Sequence, residues 1–277
     1  LKKGTNILLD QLNRRKRLRN LIINSLAISG ALALFSLLGF VNFRQEHTKC
    51  SKLDVVIVND DNHFLDTAQI AKAIFTAYPD LIGKELASID IREMHAKLAE
   101  NRAIDQLRIA TQADGRCIIS ISERKPLMRI IDANGEHLYI DEKGFSFPAG
   151  NAGSARVITA NGAIDQPPSE SILEKAKDPQ WMQQSVLDDV FYIANTISSN
   201  ELWSAMIDHI HVSEEKKFEL IPRLGNSKIL LGYSDRLQEK LKCLRAFYIS
   251  EIHENSLDQY SAINVEFEGQ VVCTKRN

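Results

Sequence analysis

The 277 residues are 44% hydrophobic and 25% charged, with a formal net charge of −2 at pH 7. That balance excludes a disordered chain, and the length supports one or two folded domains. Cys50, Cys117, Cys243 and Cys273 show neither C-x-x-C nor metal-ligand spacing, and three pairings are open to them in an oxidising compartment.

The small net charge hides an asymmetry. Lys2, Lys3, Arg14, Arg15, Lys16, Arg17 and Arg19 stand against Asp10 alone, so 7 of the 34 basic and 1 of the 36 acidic residues precede Asn20. The rest of the chain keeps 27 basic and 35 acidic residues, a net −8. Leu21 to Phe43 then runs without a charge. As a helix it would span roughly 35 Å, enough to cross a bilayer core with some tilt. Arg14, Arg15, Lys16, Arg17 and Arg19 beside it read as a topology signal that keeps their end cytoplasmic. The expectation is a basic cytoplasmic tail over 1–20, one transmembrane helix over 21–43, and an extracytoplasmic remainder. The apolar run is too long for a cleaved signal peptide and no A-x-A site follows it. The run RRKRLR is read as topology rather than as a nucleic-acid patch.

A linker over 44–52 leads into Leu53–Val58, rich in β-branched residues and strand-like. Asp66 or Thr67 caps a helix to Ala77, which Tyr78-Pro79 ends. Asp90-Ile91-Arg92-Glu93 has the capping-box spacing and opens a helix with Ile91, Met94, Leu98 and Ala99 on one face. Strands follow at Ala103–Thr111 and Arg116–Glu123, joined by a turn at Ala113-Asp114-Gly115. Strand, helix, helix, strand, strand over 53–124 makes one small α+β domain. Pro126, in Glu123-Arg124-Lys125-Pro126, removes a ladder donor and marks a domain junction.

Residues 125–277 read as a mixed, mainly antiparallel β-domain with two helices. Leu127–Ile131 and His137–Ile140 flank the hairpin turn Asn134-Gly135. After the turn Asp141-Glu142-Lys143-Gly144 come short strands at Phe145–Pro148 and Val157–Thr159, and the stretch between Ala149 and Gln180 is otherwise irregular. A helix over Gln183–Ser199 precedes strands at Ile207–Val212, Lys217–Ile221 and Lys228–Leu231. A second helix, Asp235–Leu244, is followed by strands at Ala262–Phe267 and Gln270–Lys275.

Chemistry is sparse. Asp208-His209-Ile210-His211 puts two imidazoles on one strand face, the seed of a metal-dependent hydrolase that lacks its further ligands. Asp188 and Asp189 point about 100° apart on a helix, poor geometry for a carboxylate dyad. No G-x-S-x-G elbow, S-x-x-K, P-loop or dinucleotide fingerprint occurs. No catalytic, metal or cofactor residue is therefore assigned, and neither nucleic acid nor a small-molecule substrate is expected. Recognition through backbone is the other use of such a chain. Gln270–Lys275 could be a sheet edge that accepts a partner's strand. It could equally be paired on both sides, or guarded by Lys275-Arg276. If it is an edge, a proline at Val272 would remove a ladder donor.

In this order the motifs resemble the bacterial cell-division family FtsQ/DivIB. The carriers are Glu123-Arg124-Lys125-Pro126 (E-R-x-P), Asp141-Glu142-Lys143-Gly144 with Phe147 (D-x-x-G-x-x-F), Leu231-Gly232, and Ile263–Phe267 with Gly269–Val272. The resemblance implies a POTRA domain over 53–124 and a β-domain over 125–277. It also implies a non-enzymatic, single-pass scaffold at the division septum, which binds FtsB and FtsL and links them to the septal peptidoglycan synthases FtsW and FtsI. Binding would fall on the last strands, with Glu266 and Phe267 at their start and Gln270, Val271, Val272, Cys273, Thr274 and Lys275 as the edge. A generic POTRA-bearing envelope assembly factor is the other family-level alternative. One departure stands out. Where many members carry Asp-Leu-Arg, this chain has Asn264-Val265-Glu266, so the charge contacts of that strand do not carry over.

Overall fold

The computed structural model describes residues 29–34, 36, 48–58, 65–149, 155–223, 225, 227–254 and 259–276. The expected transmembrane helix over 21–43, and with it the single-pass topology and the inner-membrane, septal localisation, is corrected. Among the described residues no helix is long and apolar enough to cross a membrane. Within that stretch residues 29–34 and 36 are described and helical. The rest of it, with Arg14, Arg15, Lys16, Arg17 and Arg19, lies outside the described residues.

The first part of the chain follows the expected order. Strand β1 (Lys52–Ile57), helices α1 (Thr67–Ala77) and α2 (Ile91–Ala99), and strands β2 (Ile104–Thr111) and β3 (Arg116–Glu123) form a three-stranded sheet, β1-β3-β2, with two helices. Asp66 caps α1 by accepting the Ala68 N–H at 2.8 Å. Asp90 caps α2 through the N–H groups of Arg92 and Glu93, both at 3.0 Å. Each cap satisfies donors that the helix itself leaves over. On α2, Met94 is buried and Ile91 and Leu98 are half-buried, but Ala99 is exposed, so the apolar face is narrower than expected.

Contacts divide the described residues into two compact units, one holding those up to Val55, Ala71–Glu93 and Ile109–Ile119, the other those within 56–70, Met94–Arg108 and from Ser120 onward. In the first unit, the end of the expected linker is built into the fold. Cys50 donates to the Lys84 carbonyl at 2.8 Å, Gly83 donates to Cys50 at 2.7 Å, and Leu86 donates to Thr48 at 2.9 Å. A polar sequence does not announce such pairing, because the backbone groups that make it are common to every residue.

The second unit is dominated by one nine-stranded sheet in the order β12-β11-β10-β9-β8-β7-β4-β5-β6. Its strands are β4 (Pro126–Ile131), β5 (His137–Asp141), β6 (Ser146–Pro148), β7 (Ile158–Gly162), β8 (Ile207–Val212), β9 (Phe218–Pro222), β10 (Lys228–Gly232), β11 (Tyr260–Asn264) and β12 (Val272–Lys275). The pairs β4–β7, β7–β8 and β10–β11 are parallel and the others antiparallel.

Register places Ile130, Ala160, Ile210, Leu220, Ile229 and Ile263 in one row across six strands, all buried. Helices α5 (Leu187–Ser198) and α7 (Leu237–Glu254) cover that face with Val190, Ile193, Ala194, Ile197, Leu241 and Leu244. The β-domain therefore holds more than the two expected helices. The helix expected over 183–199 is split into α4 (Pro179–Gln184) and α5, with Ser185 bonding the Leu187 N–H at 3.1 Å between them. Two short helices, α3 (Ile172–Lys175) and α6 (Glu201–Met206), escape periodicity because each is too brief to show it. The last helix runs ten residues past its expected end at Leu244 to Glu254.

Candidate functional site

The β12 end of the large sheet carries the residues expected to bind a partner. Strand β12 pairs antiparallel with β11, and among the described residues no strand pairs with its other side. Opposite residues are Tyr260 and Lys275, Ala262 and Thr274, Ile263 and Cys273, and Asn264 and Val272. The Tyr260–Lys275 pair is flanked by a bond from the Arg276 N–H to the Gln259 carbonyl at 2.7 Å. An antiparallel pair flanked in this way does not exchange bonds within itself, so the N–H and C=O of Lys275 point away from β11. Alternation then turns Thr274 and Val272 inward, and the Thr274 carbonyl indeed accepts from the Ser261 hydroxyl at 3.2 Å. Val272 spends its backbone on β11. Lys275 offers its own outward.

Side chains follow the same alternation. Cys273 and Val271 pack against the helix-covered core, while Val272, Thr274 and Lys275 are exposed. Phe267 stands 53% exposed in the turn before β12. Gln270 is exposed, and its N–H donates to the Phe267 carbonyl at 3.4 Å.

Glu266 is built in. Its carboxylate meets Lys217 Nζ at 2.7 Å, while Arg236 Nη2 donates to the Glu266 carbonyl at 3.4 Å and Arg236 Nη1 pairs with Glu268 at 3.5 Å. The Lys217 ammonium is held above its usual pKa, chiefly by the hydrogen bond it donates to Glu266 and then by that carboxylate's charge. Gly232 makes the space: a Cβ there would sit 2.7 Å from Glu266 Cγ, and its φ of +71° favours glycine besides. Arg236 itself holds φ +50°, an uncommon conformation for a residue with a side chain. The sequence marked Leu231-Gly232 but missed Lys217 and Arg236, which lie 49 and 30 residues from Glu266.

The histidine cluster does not assemble a metal centre. On β8, His209 and His211 share a face, while Asp208 sits exposed at a register shift and pairs with Arg223 at 3.2 Å. His211 Nδ1 is hydrogen-bonded to Asn161 Oδ1 at 2.8 Å. Burial, and then the neighbouring His211, hold the His209 pKa below its usual value. Among the described residues no group of three His, Cys, Asp or Glu could hold a metal ion. Asp188 titrates upward because it is partly buried and lies beside Asp189, whose carboxylate accepts from Ser234; this is a helix start rather than a dyad.

Comparison with known families agrees with the architecture. The family described as "FtsQ/DivIB, C-terminal related" matches residues 125–274, more than half of the chain, and a "POTRA-like domain" matches residues 48–122. The chain belongs to the FtsQ/DivIB family. No curated protein matches it.

Membership explains the remaining motifs as structure. In E-R-x-P, Glu123 accepts the Leu65 N–H at 2.6 Å. Arg124 Nη1 reaches Asp141 at 2.7 Å, its Nε donates to the Arg102 carbonyl at 2.8 Å, and its guanidinium lies over the Phe145 ring at 4.6 Å. Pro126 opens β4 opposite Asp141, where a register shift tolerates it. In D-x-x-G-x-x-F, the other oxygen of Asp141 accepts from Lys143 and Phe145 at 3.0 and 2.8 Å, and Phe147 is fully buried. A Cβ at Gly144 would lie 2.9 Å from Ser171 Oγ.

Proposed function

We propose that this FtsQ/DivIB-family protein is a non-enzymatic scaffold of the bacterial division machinery. Its β12 edge accepts a strand from an FtsB/FtsL-type pair and so links that pair to FtsW/FtsI-type septal peptidoglycan synthases. On this reading residues 53–124 are the POTRA domain and residues 125–277 the partner-binding β-domain. Gln270, Val271, Val272, Cys273, Thr274 and Lys275 form the capture strand, with Glu266 and Phe267 at its entrance. The observation that carries it is the one-sided pairing of β12, with the backbone of Lys275 turned outward. Main-chain groups at such an edge supply affinity, and the side chains beside it supply selectivity.

Two prolines test it in the full-length chain, by titration with a purified FtsB/FtsL-type pair. Lys275→Pro removes an outward donor and leaves the β11–β12 ladder intact, so affinity should fall about tenfold with the melting temperature nearly unchanged. Val272→Pro removes an inward donor, so it should cost β12 its own pairing and lower both affinity and the hydrogen-exchange protection of β11. Undiminished binding by Lys275→Pro would refute strand addition at this edge. On this reading the decisive proline is at Lys275, whose backbone faces outward, rather than at Val272, whose backbone pairs with β11.

A further inference from the structure

We infer that Glu266 acts as a positioning residue, clamped from within by Lys217 and Arg236, and that this clamp sets the direction in which Phe267 and β12 are presented to a partner; the inference rests on the strand-addition reading above. Four contacts converge there. Lys217 grips the carboxylate at 2.7 Å, Arg236 reaches the Glu266 carbonyl at 3.4 Å, the same guanidinium pairs with Glu268 at 3.5 Å, and Gly232 clears the slot that the side chain fills. Lys217 also lies 5.7 Å from the centre of the Tyr233 ring, within range of a cation–π contact. The Glu266 side chain is 30% exposed, against 53% for Phe267 beside it, so the charge is turned into the fold and the aromatic ring out of it.

Both anchors lie outside the hairpin. Lys217 immediately precedes β9, and Arg236 stands at the start of α7, held by Asp235 at 3.1 Å, while Lys240 at 4% exposure ties Asp235 and the Tyr233 carbonyl at 2.9 and 2.8 Å. The turn from Glu266 to Val271 therefore has a fixed base and an exposed tip. The acidic side chain of Glu266 thus has its countercharge inside the molecule, on Lys217.

Charge exchange separates positioning from contact. Glu266→Lys and Lys217→Glu should each weaken binding of a purified FtsB/FtsL-type pair to the full-length chain by about tenfold, and the double variant should recover to within about threefold of the unmodified protein. Recovery is the result a partner-contacting Glu266 would not give, since the partner would still face a reversed charge. A double variant as weak as Glu266→Lys, or single variants that bind normally, would overturn the inference. Should a reversed chain lose its fold by circular dichroism, Lys217→Met is read in its place: a similar loss supports the clamp and no loss refutes it. If the unmodified chain itself does not bind the pair, strand addition fails rather than the clamp.

Discussion

The nine-stranded sheet has two edges, and they are built to opposite ends. At β6 the edge strand is three residues long, Ser146 and Phe147 are buried, and it stops at Pro148. Ser146 is held there by Arg102 Nη2 at 3.1 Å and bonds the Pro168 carbonyl at 3.3 Å. At β12 the strand shows Val272, Thr274 and Lys275 to solvent. The contrast reaches single backbone atoms. The Leu138–Pro148 pair is flanked by the bond from Ala149 to His137 at 3.2 Å, as Tyr260–Lys275 is flanked by the bond from Arg276 to Gln259. Both Pro148 and Lys275 therefore turn their nitrogens outward, and only one of them has a hydrogen to donate. Sheets commonly blunt their edges with short strands, prolines and covering contacts, so an edge left without these is the one available for pairing.

The largest expected effect tests how the guarded edge is held. Asp141 caps the turn that enters β6, and its other oxygen pairs with Arg124, whose side chain is 15% exposed. Asp141→Ala removes the turn's cap and leaves that guanidinium only the more distant Asp105 carboxylate at 3.6 Å, and it should cost about 2 kcal/mol in urea unfolding. It should also loosen β6 in hydrogen exchange, while β12 keeps its protection. Next come the two prolines at β12: Lys275→Pro makes the open edge resemble the closed one and should lower affinity alone, whereas Val272→Pro should lower affinity and local order together.

A smaller effect gives a footprint. Cys117 is fully buried and its thiol is pushed up to about 11, by burial first and by the nearby Cys50 second, so its thiolate is scarce at pH 8. Alkylation followed by mass spectrometry should spare Cys117 and mark the half-buried Cys273 on β12, and an added FtsB/FtsL-type pair should slow the Cys273 reaction without altering Cys117. Equal labelling of Cys273 with and without the pair would place the contact elsewhere. The smallest effect is expected from Pro148→Val. It restores an outward donor to β6, but the buried Ser146 and Phe147 still leave no strand length to pair, so partner affinity should stay within about twofold.

Much of this was legible along the chain. Capping residues Asp66 and Asp90 mark their helices because a cap acts within three residues of itself. Strands β2 and β3 of the first sheet, and His209–Val212 in the second, show their buried faces by alternation. The membrane expectation was overturned, since among the described residues no helix is long and apolar enough to cross a membrane. Of the proposed site, the sequence offered the strand and its aromatic neighbour but left the edge undecided, since whether a strand has one neighbour or two depends on the order of nine strands.

The sequence by itself determined the strands and longer helices, their order and the motif residues that turn and cap them, all governed by interactions a few residues apart. Only the tertiary structure decided which strand lies at an edge, which way the backbone of Lys275 faces, and that Glu266 finds Lys217 from 49 residues away. Those outcomes depend on register and crossover, where a shift of one residue reverses every side chain and every donor, and no local pattern in the chain records them.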